Sequence, residues 1–190
     1  MKKSDLRNGD MLFVFGTDVI GHVVSFACGG PSHVALVVEN GASLVELIQE
    51  GAVKSPIDKY WGKNKIAMGR YRAGITAVQG AAIATQALSC VGKKKYSNPG
   101  AIGMGILNLL SCVNFWGWSP ASWFRSTQSN PLVSADTEFC SFNVGEDYML
   151  GAGIDLTPKI KFDSNETPND ILTSSVVEII ADSRKGEIEA

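Results

Sequence analysis

Apolar and polar positions along the chain change period several times, and each change marks an element. Residues 11–15 (Met11-Leu12-Phe13-Val14-Phe15) form an unbroken apolar run behind Asn8-Gly9-Asp10, the pattern of a turn leading into a buried strand. Over residues 19–27, Val19, Ile20, Val23, Val24, Phe26 and Ala27 gather on one helical face and Gly21, His22 and Ser25 on the other; Thr17 or Asp18 can cap this helix, and Gly29-Gly30 ends it. Two β-rich runs follow, residues 33–39 and 44–49, joined by Asn40-Gly41, the dipeptide suited to the positive φ of a tight hairpin. Residues 55–64 read as loop, 66–71 as a strand, and 75–91 as an alanine-rich helix ended by Gly92.

The next segment breaks the pattern. From Tyr96 to Phe124 no side chain is charged, although Lys93-Lys94-Lys95 precede it and Arg125 follows. Asn98, Asn108, Asn114 and several glycines interrupt it, so a buried wall or lid is favoured over an interfacial contact, and both over a membrane span. Trp116, Trp118 and Trp123 keep a membrane-surface or lipid contact through residues 101–124 open. Residues 135–142 (ADTEFCSF) predict a helix start, with Asp136 or Thr137 as cap, Glu138 in the first turn, and Gly151 and Gly153 as the stop. Thr167-Pro168-Asn169-Asp170 predicts a turn and short helix, residues 175–181 a last strand, and 182–190 a tail that frays.

Together these elements predict a single α+β domain over residues 1–182, with an uncharged insertion and following loop at 96–134 and a polar tail at 183–190. Composition agrees with one full core: 190 residues, 45% hydrophobic and 19% charged. A net charge of -2, with both signs mixed along the chain, offers no basic face and makes nucleic acid an unexpected partner. The opening MKKSDLRNGD has no apolar stretch, so cytoplasmic synthesis without a signal peptide is expected. Cys28, Cys90, Cys112 and Cys140 are far apart and lack a CxxC pair, which favours free thiols over a disulfide framework.

The candidate chemistry starts at His33, one of only two histidines. If Asn40-Gly41 is a two-residue turn, Leu36 faces Val45, Ala35 faces Glu46 and His33 faces Ile48. His33, Ala35 and Glu46 then project from one face of the hairpin. Glu46 becomes a diagonal neighbour able to fix the imidazole tautomer, and Glu50, of the same parity, is the alternative. Cys140, in the first turn of its predicted helix, meets the positive end of the helix dipole, and beside an imidazolium it ionises below its ordinary pKa. Backbone N–H groups at the same helix start can hold an oxyanion. Cys28, Cys90 and Cys112 lie in apolar contexts expected of core residues, and His22 falls on a polar face. A zinc site from Cys28, His33, Cys140 and Glu46 lacks the close ligand pairs such sites show, so no metal or other cofactor is expected.

Several motifs also carry a resemblance. Gly9-Asp10-Met11-Leu12-Phe13, Ser32-His33-Val34-Ala35, Val45-Glu46, Tyr96 after the lysines, Phe139-Cys140-Ser141 and Thr167-Pro168-Asn169-Asp170 occur in an order that resembles the circularly permuted papain-like hydrolases. These are the permuted, YiiX-like branch of the NlpC-type cell-wall peptidase superfamily, with lecithin retinol acyltransferase a distant cousin. The resemblance implies a permuted papain-like fold with an antiparallel sheet packed against helices. It implies a cysteine hydrolase acting on an amide or ester through Cys140 as nucleophile, His33 as base and Glu46 as third member. It favours cell-wall peptides as substrate, with lipid or other acyl groups second; a non-catalytic lipid- or partner-binding protein on the same fold is the alternative. Pro31 stands where the family often has an aromatic residue, and Phe142 where it often has an acidic one.

Overall fold

The computed structural model describes residues 1–16, 30–96, 137–161 and 166–189. The helix expected over 19–27, the uncharged insertion with its tryptophans, and Cys28, Cys112, His22 and Asp136 lie outside them.

Six strands build one antiparallel sheet: β1 (Met11–Phe15), β2 (His33–Val38), β3 (Ser43–Ile48), β4 (Gly51–Pro56), β5 (Lys65–Tyr71) and β8 (Val177–Asp182), in the order β4-β3-β2-β1-β5-β8. Apolar side chains bury both of its faces. On one face, Met11, Phe13, Val34, Leu36, Val45 and Ala67 pack against Ile83, Ala84 and Ala87 of α1 (Ala77–Cys90) and Val144 and Tyr148 of α2 (Cys140–Ala152). On the other, Leu12, Val14, Ala35, Val37, Leu44, Ile66 and Met68 lie under Leu6, Ile57 and Trp61. Two-sided burial is why β1 reads as a continuous apolar run rather than an alternating one. Among the described residues no helix is long and apolar enough to cross a membrane.

The hairpin register is the expected one, with Leu36 opposite Val45, Val37 opposite Leu44 and Val38 opposite Ser43. Asn40 and Gly41 have φ of 52° and 93°, and Glu39 joins them at 52°. Beyond Leu36, however, the two strands part. β2 stays with β1 through Ala35, Val34 and His33, while β3 stays with β4 through Glu46, Leu47 and Ile48, so the expected pairings of Ala35 with Glu46 and His33 with Ile48 do not form. The start of α2 occupies the opened seam.

Other expectations need correction. The stretch from Ser55 onward is not simply loop: β4 runs to Pro56, and a 3-10 turn over Ile57–Lys59 follows. Thr137 does not cap α2, and Glu138 does not lie in its first turn. They form the short strand β7 (Thr137–Glu138), parallel to β6 (Lys95–Tyr96), which leaves Phe139 at the N-cap and Cys140 as the first helical residue. The tail is tied down as far as Glu189: residues 183–185 form a 3-10 turn, Glu189 N–H donates to Met1 O at 3.0 Å, and the Met1 amino group donates to Glu187 O at 2.6 Å. The remaining ends follow the sequence. Thr76 and Gln79 form a capping box on α1, Thr167 and Asp170 form another on α3 (Pro168–Leu172), and Gly153 stops α2 at φ 68°.

Candidate active site

Strand parity gives the site its two sides. The Val37 N–H donates to Asp10 O on the β1 side, so the N–H groups of even-numbered β2 residues face β3. At Val34 the seam has opened, and that N–H donates to the Cys140 sulfur instead. His33 and Glu46 belong to the face away from the helices. Cys140 comes from the helix side and reaches His33 through the gap between β2 and β3.

His33 Nε2 lies 3.0 Å from Glu46 Oε2, and the imidazole also makes a hydrogen bond with the Cys140 thiol. With Nε2 committed to the carboxylate, Nδ1 is the nitrogen left for sulfur. All three groups are largely withdrawn from water: Cys140 is 6% exposed, the Glu46 side chain 0% and the His33 side chain 16%. Glu50, the alternative partner for His33, is exposed in the turn after β3.

Electrostatics separates charge within the trio. Burial pushes the Cys140 thiol up, but the charge and hydrogen bond of His33 and the N–H groups of Val34 and Ser141 outweigh it, and the thiol lies below its ordinary value. Burial likewise opposes the His33 imidazolium. The Cys140 charge and hydrogen bond, followed by those of Glu46, overcome this and raise it to about 9. Glu46 is also opposed by burial, yet hydrogen bonding and charge from His33, with bonds from Lys59 and Ser55, lower it to about 2. Each member of the Cys140–His33 pair thus favours the charged form of the other, and the Glu46 carboxylate favours the imidazolium.

The α2 N-terminus adds backbone donors that no N-cap side chain takes up. Phe139 supplies no side-chain cap, so the first-turn N–H groups depend on other acceptors, of which the Cys140 sulfur is one. Ser141 Oγ donates to Glu166 O at 2.8 Å and ties this turn to the segment before α3.

Sequence reasoning missed two residues at the site. Lys59 Nζ donates to Glu46 Oε1 at 2.6 Å, and Tyr60 Oη donates to Glu46 Oε2 at 2.7 Å. Burial, Glu46 and Cys140 push the Tyr60 phenol above its ordinary value, so it serves as a donor. Both residues fell in a stretch read as loop; a lysine–tyrosine pair closely following the strand after the Glu46 strand was the available signal.

No family model matches the chain, and no curated protein matches it. Among solved structures it is similar to the crystal structure of metalloprotein YiiX from Escherichia coli O157:H7, at 14% identity, over 93% of this chain and 97% of that one, with a TM-score of 0.63. The fold is YiiX-like. At that identity the likeness concerns the fold alone. The YiiX structure is described as a metalloprotein, which prompts a test of the donors here. Among the described residues no group of three His, Cys, Asp or Glu side chains is placed to hold a metal ion. Glu46 already accepts from Lys59, Tyr60 and His33, and a lysine ammonium on the carboxylate opposes a second cation. The Cys140, His33 and Glu46 set does not fit a resident metal. Cys90, the other described cysteine, is a free, buried thiol whose pKa burial and then Asp147 push up, in contrast to Cys140.

Proposed function

We propose that the protein is a cysteine hydrolase on a permuted papain-like fold, cleaving an amide or ester through an acyl-enzyme on Cys140. The observation that carries this reading is the imidazole of His33 bonded on one side to the Cys140 thiol and on the other to the buried Glu46 carboxylate. An ion-paired thiolate is a nucleophile at neutral pH without a further deprotonation step. The Cys140 sulfur attacks the carbonyl carbon, a C–S bond forms, and the electron pair moves to the carbonyl oxygen, where α2 first-turn N–H groups face developing negative charge. Collapse of this intermediate expels the amine or alcohol, which takes the proton from His33. Neutral His33 then accepts a proton from water as its oxygen attacks the thioester carbon; the C–S bond breaks, its electron pair returns to the Cys140 sulfur, and the acid product leaves. Glu46 holds the ring throughout and favours its charged form.

A cell-wall peptide is the substrate class we favour, with acyl lipids second. The test is incubation of the protein and its Cys140→Ala variant with purified peptidoglycan, peptidoglycan fragments and acyl lipids, with mass spectrometry of the products. Cleavage by the wild type alone, with a trapped acyl mass on Cys140, supports the reading. Chemistry itself is tested by iodoacetamide at pH 6: Cys140 is expected to alkylate faster than the other three cysteines, and His33→Ala to remove that preference. Equal alkylation of all four ends the proposal.

A further inference from the structure

The Glu46 carboxylate is more heavily bound than orienting one imidazole requires. Oε2 accepts from both His33 Nε2 and Tyr60 Oη, at 3.0 and 2.7 Å, while Oε1 accepts from Lys59 Nζ at 2.6 Å. Ser55, from β4, adds a further hydrogen bond. The last torsion of a glutamate is soft, so one bond to one oxygen leaves the carboxylate free to swing. Donors on both oxygens stop that motion and aim one Oε2 lone pair at the ring. Lys59 also lies 5.0 Å from the centre of the Tyr60 ring, and that ring sits tilted at 6.1 Å from the His33 ring, so the three side chains form one packed unit around the carboxylate.

We infer that Lys59 and Tyr60 are positioning residues of the active site, acting on His33 and Cys140 through Glu46. The assignment rests on the hydrolase reading above and adds residues to it. Among the described residues, the groups facing the carboxylate and the pair it serves are His33 from β2, Ser55 from β4, Lys59 and Tyr60 from the following turn, and Cys140 from α2. Neighbouring charges are engaged elsewhere: Asp58 bonds Lys3, and Lys54 bonds Glu39. Among the described residues Lys59 is thus the cation on the carboxylate besides His33, and its side chain is 36% exposed, within reach of solvent but anchored at its head.

The test follows iodoacetamide alkylation of Cys140 in the full chain as a function of pH, with peptide mass spectrometry separating the four cysteines. Lys59→Met and Tyr60→Phe are each expected to move the acid limb of the profile to higher pH by about one unit, slowing alkylation at pH 6 about tenfold. Lys59→Arg should restore most of the rate. In a Glu46→Gln background, the further change Lys59→Met should cost less than about twofold, since groups acting through one partner are not additive. An unmoved acid limb in both single variants overturns the assignment, as does a full tenfold loss in the Glu46→Gln background, which is the mark of an independent structural role. Tyr60→Phe removes only the hydroxyl, so the test survives if Lys59→Met fails to fold. Wild-type Cys140 reacting no faster than its three companions overturns the hydrolase reading and this inference together; an activated wild type with unaffected variants overturns this inference alone.

Discussion

Replacing Glu46 with glutamine keeps the size of the side chain but removes the charge that faces His33 Nε2 at 3.0 Å. Burial of the imidazole remains, and burial favours its neutral form. The His33 pKa is therefore expected to fall from about 9, with Cys140 still holding up part of the rise, and the thiolate limb of Cys140 to rise, both measurable by NMR titration of the His33 ring and the alkylation profile. The same shifts set a stability window. His33 is raised on folding, so its contribution is complete below pH 6.5 and disappears as pH climbs through about 9. Glu46 is lowered, so its contribution is present above about pH 4.5 and disappears as pH falls toward 2. The lowered Cys140 thiol works in the opposite sense over the alkaline range and offsets the His33 loss, so urea midpoints should show the wild type losing stability chiefly at the acid end and Glu46→Gln losing less there. At this scale the sequence made His33 and Glu46 legible as neighbours because strand parity is strict. Lys59 and Tyr60 were not legible, since they reach Glu46 through a 3-10 turn, and no periodicity encodes where a turn returns.

Elements differ in how firmly their ends are specified, and two glycines show it. Gly153 ends α2 in a left-handed conformation with open space where a side chain would go, so Gly153→Ala meets only backbone strain. Gly41 also has positive φ, but a Cβ there would lie 2.8 Å from Leu6 Cβ and 2.9 Å from Lys3 O. Gly153→Ala is expected to cost about 1–2 kcal/mol, and Gly41→Ala distinctly more, because the N-terminal segment must shift as well. Equal urea midpoints for the two variants would contradict the contact argument. Similar physics governs what could be read. β1 was visible because burial on both faces made it wholly apolar, whereas β4 hid because an edge strand ending in Lys54, Ser55 and Pro56 carries the polar residues of a loop. The start of α2 was placed early because Asp136, Thr137 and Glu138 have the composition of a cap. A tertiary pairing of Thr137 and Glu138 with Lys95 and Tyr96 overrides that local preference and puts Cys140, rather than an acid, in the first helical position.

Across the whole molecule, the two ends of the chain meet beneath the turn that carries Lys59 and Tyr60. Met1 and residues 187–189 exchange backbone hydrogen bonds, Asp182 N–H donates to Glu187 Oε2 at 2.9 Å, and the buried Trp61 donates its indole N–H to Glu189 O at 2.8 Å. Trp61 directly follows Tyr60 and packs with Ile57 on the sheet face opposite the helices, so the tail bonds to a residue adjoining the pair that grips Glu46. Removing residues 187–190 leaves the strands and the Cys140 helix intact but strips this support. Each lost hydrogen bond costs about 1 kcal/mol, which predicts a lower melting temperature. If the turn carries the effect to the site, the truncated chain should also lose part of the selective Cys140 alkylation at pH 6. Trp61→Phe, which keeps an aromatic ring but removes the bond to Glu189 together with part of the indole's packing, should show a smaller loss of the same kind. A truncated chain that melts lower yet alkylates Cys140 at the wild-type rate would mean that the sheet alone positions Lys59 and Tyr60, with the tail serving stability only.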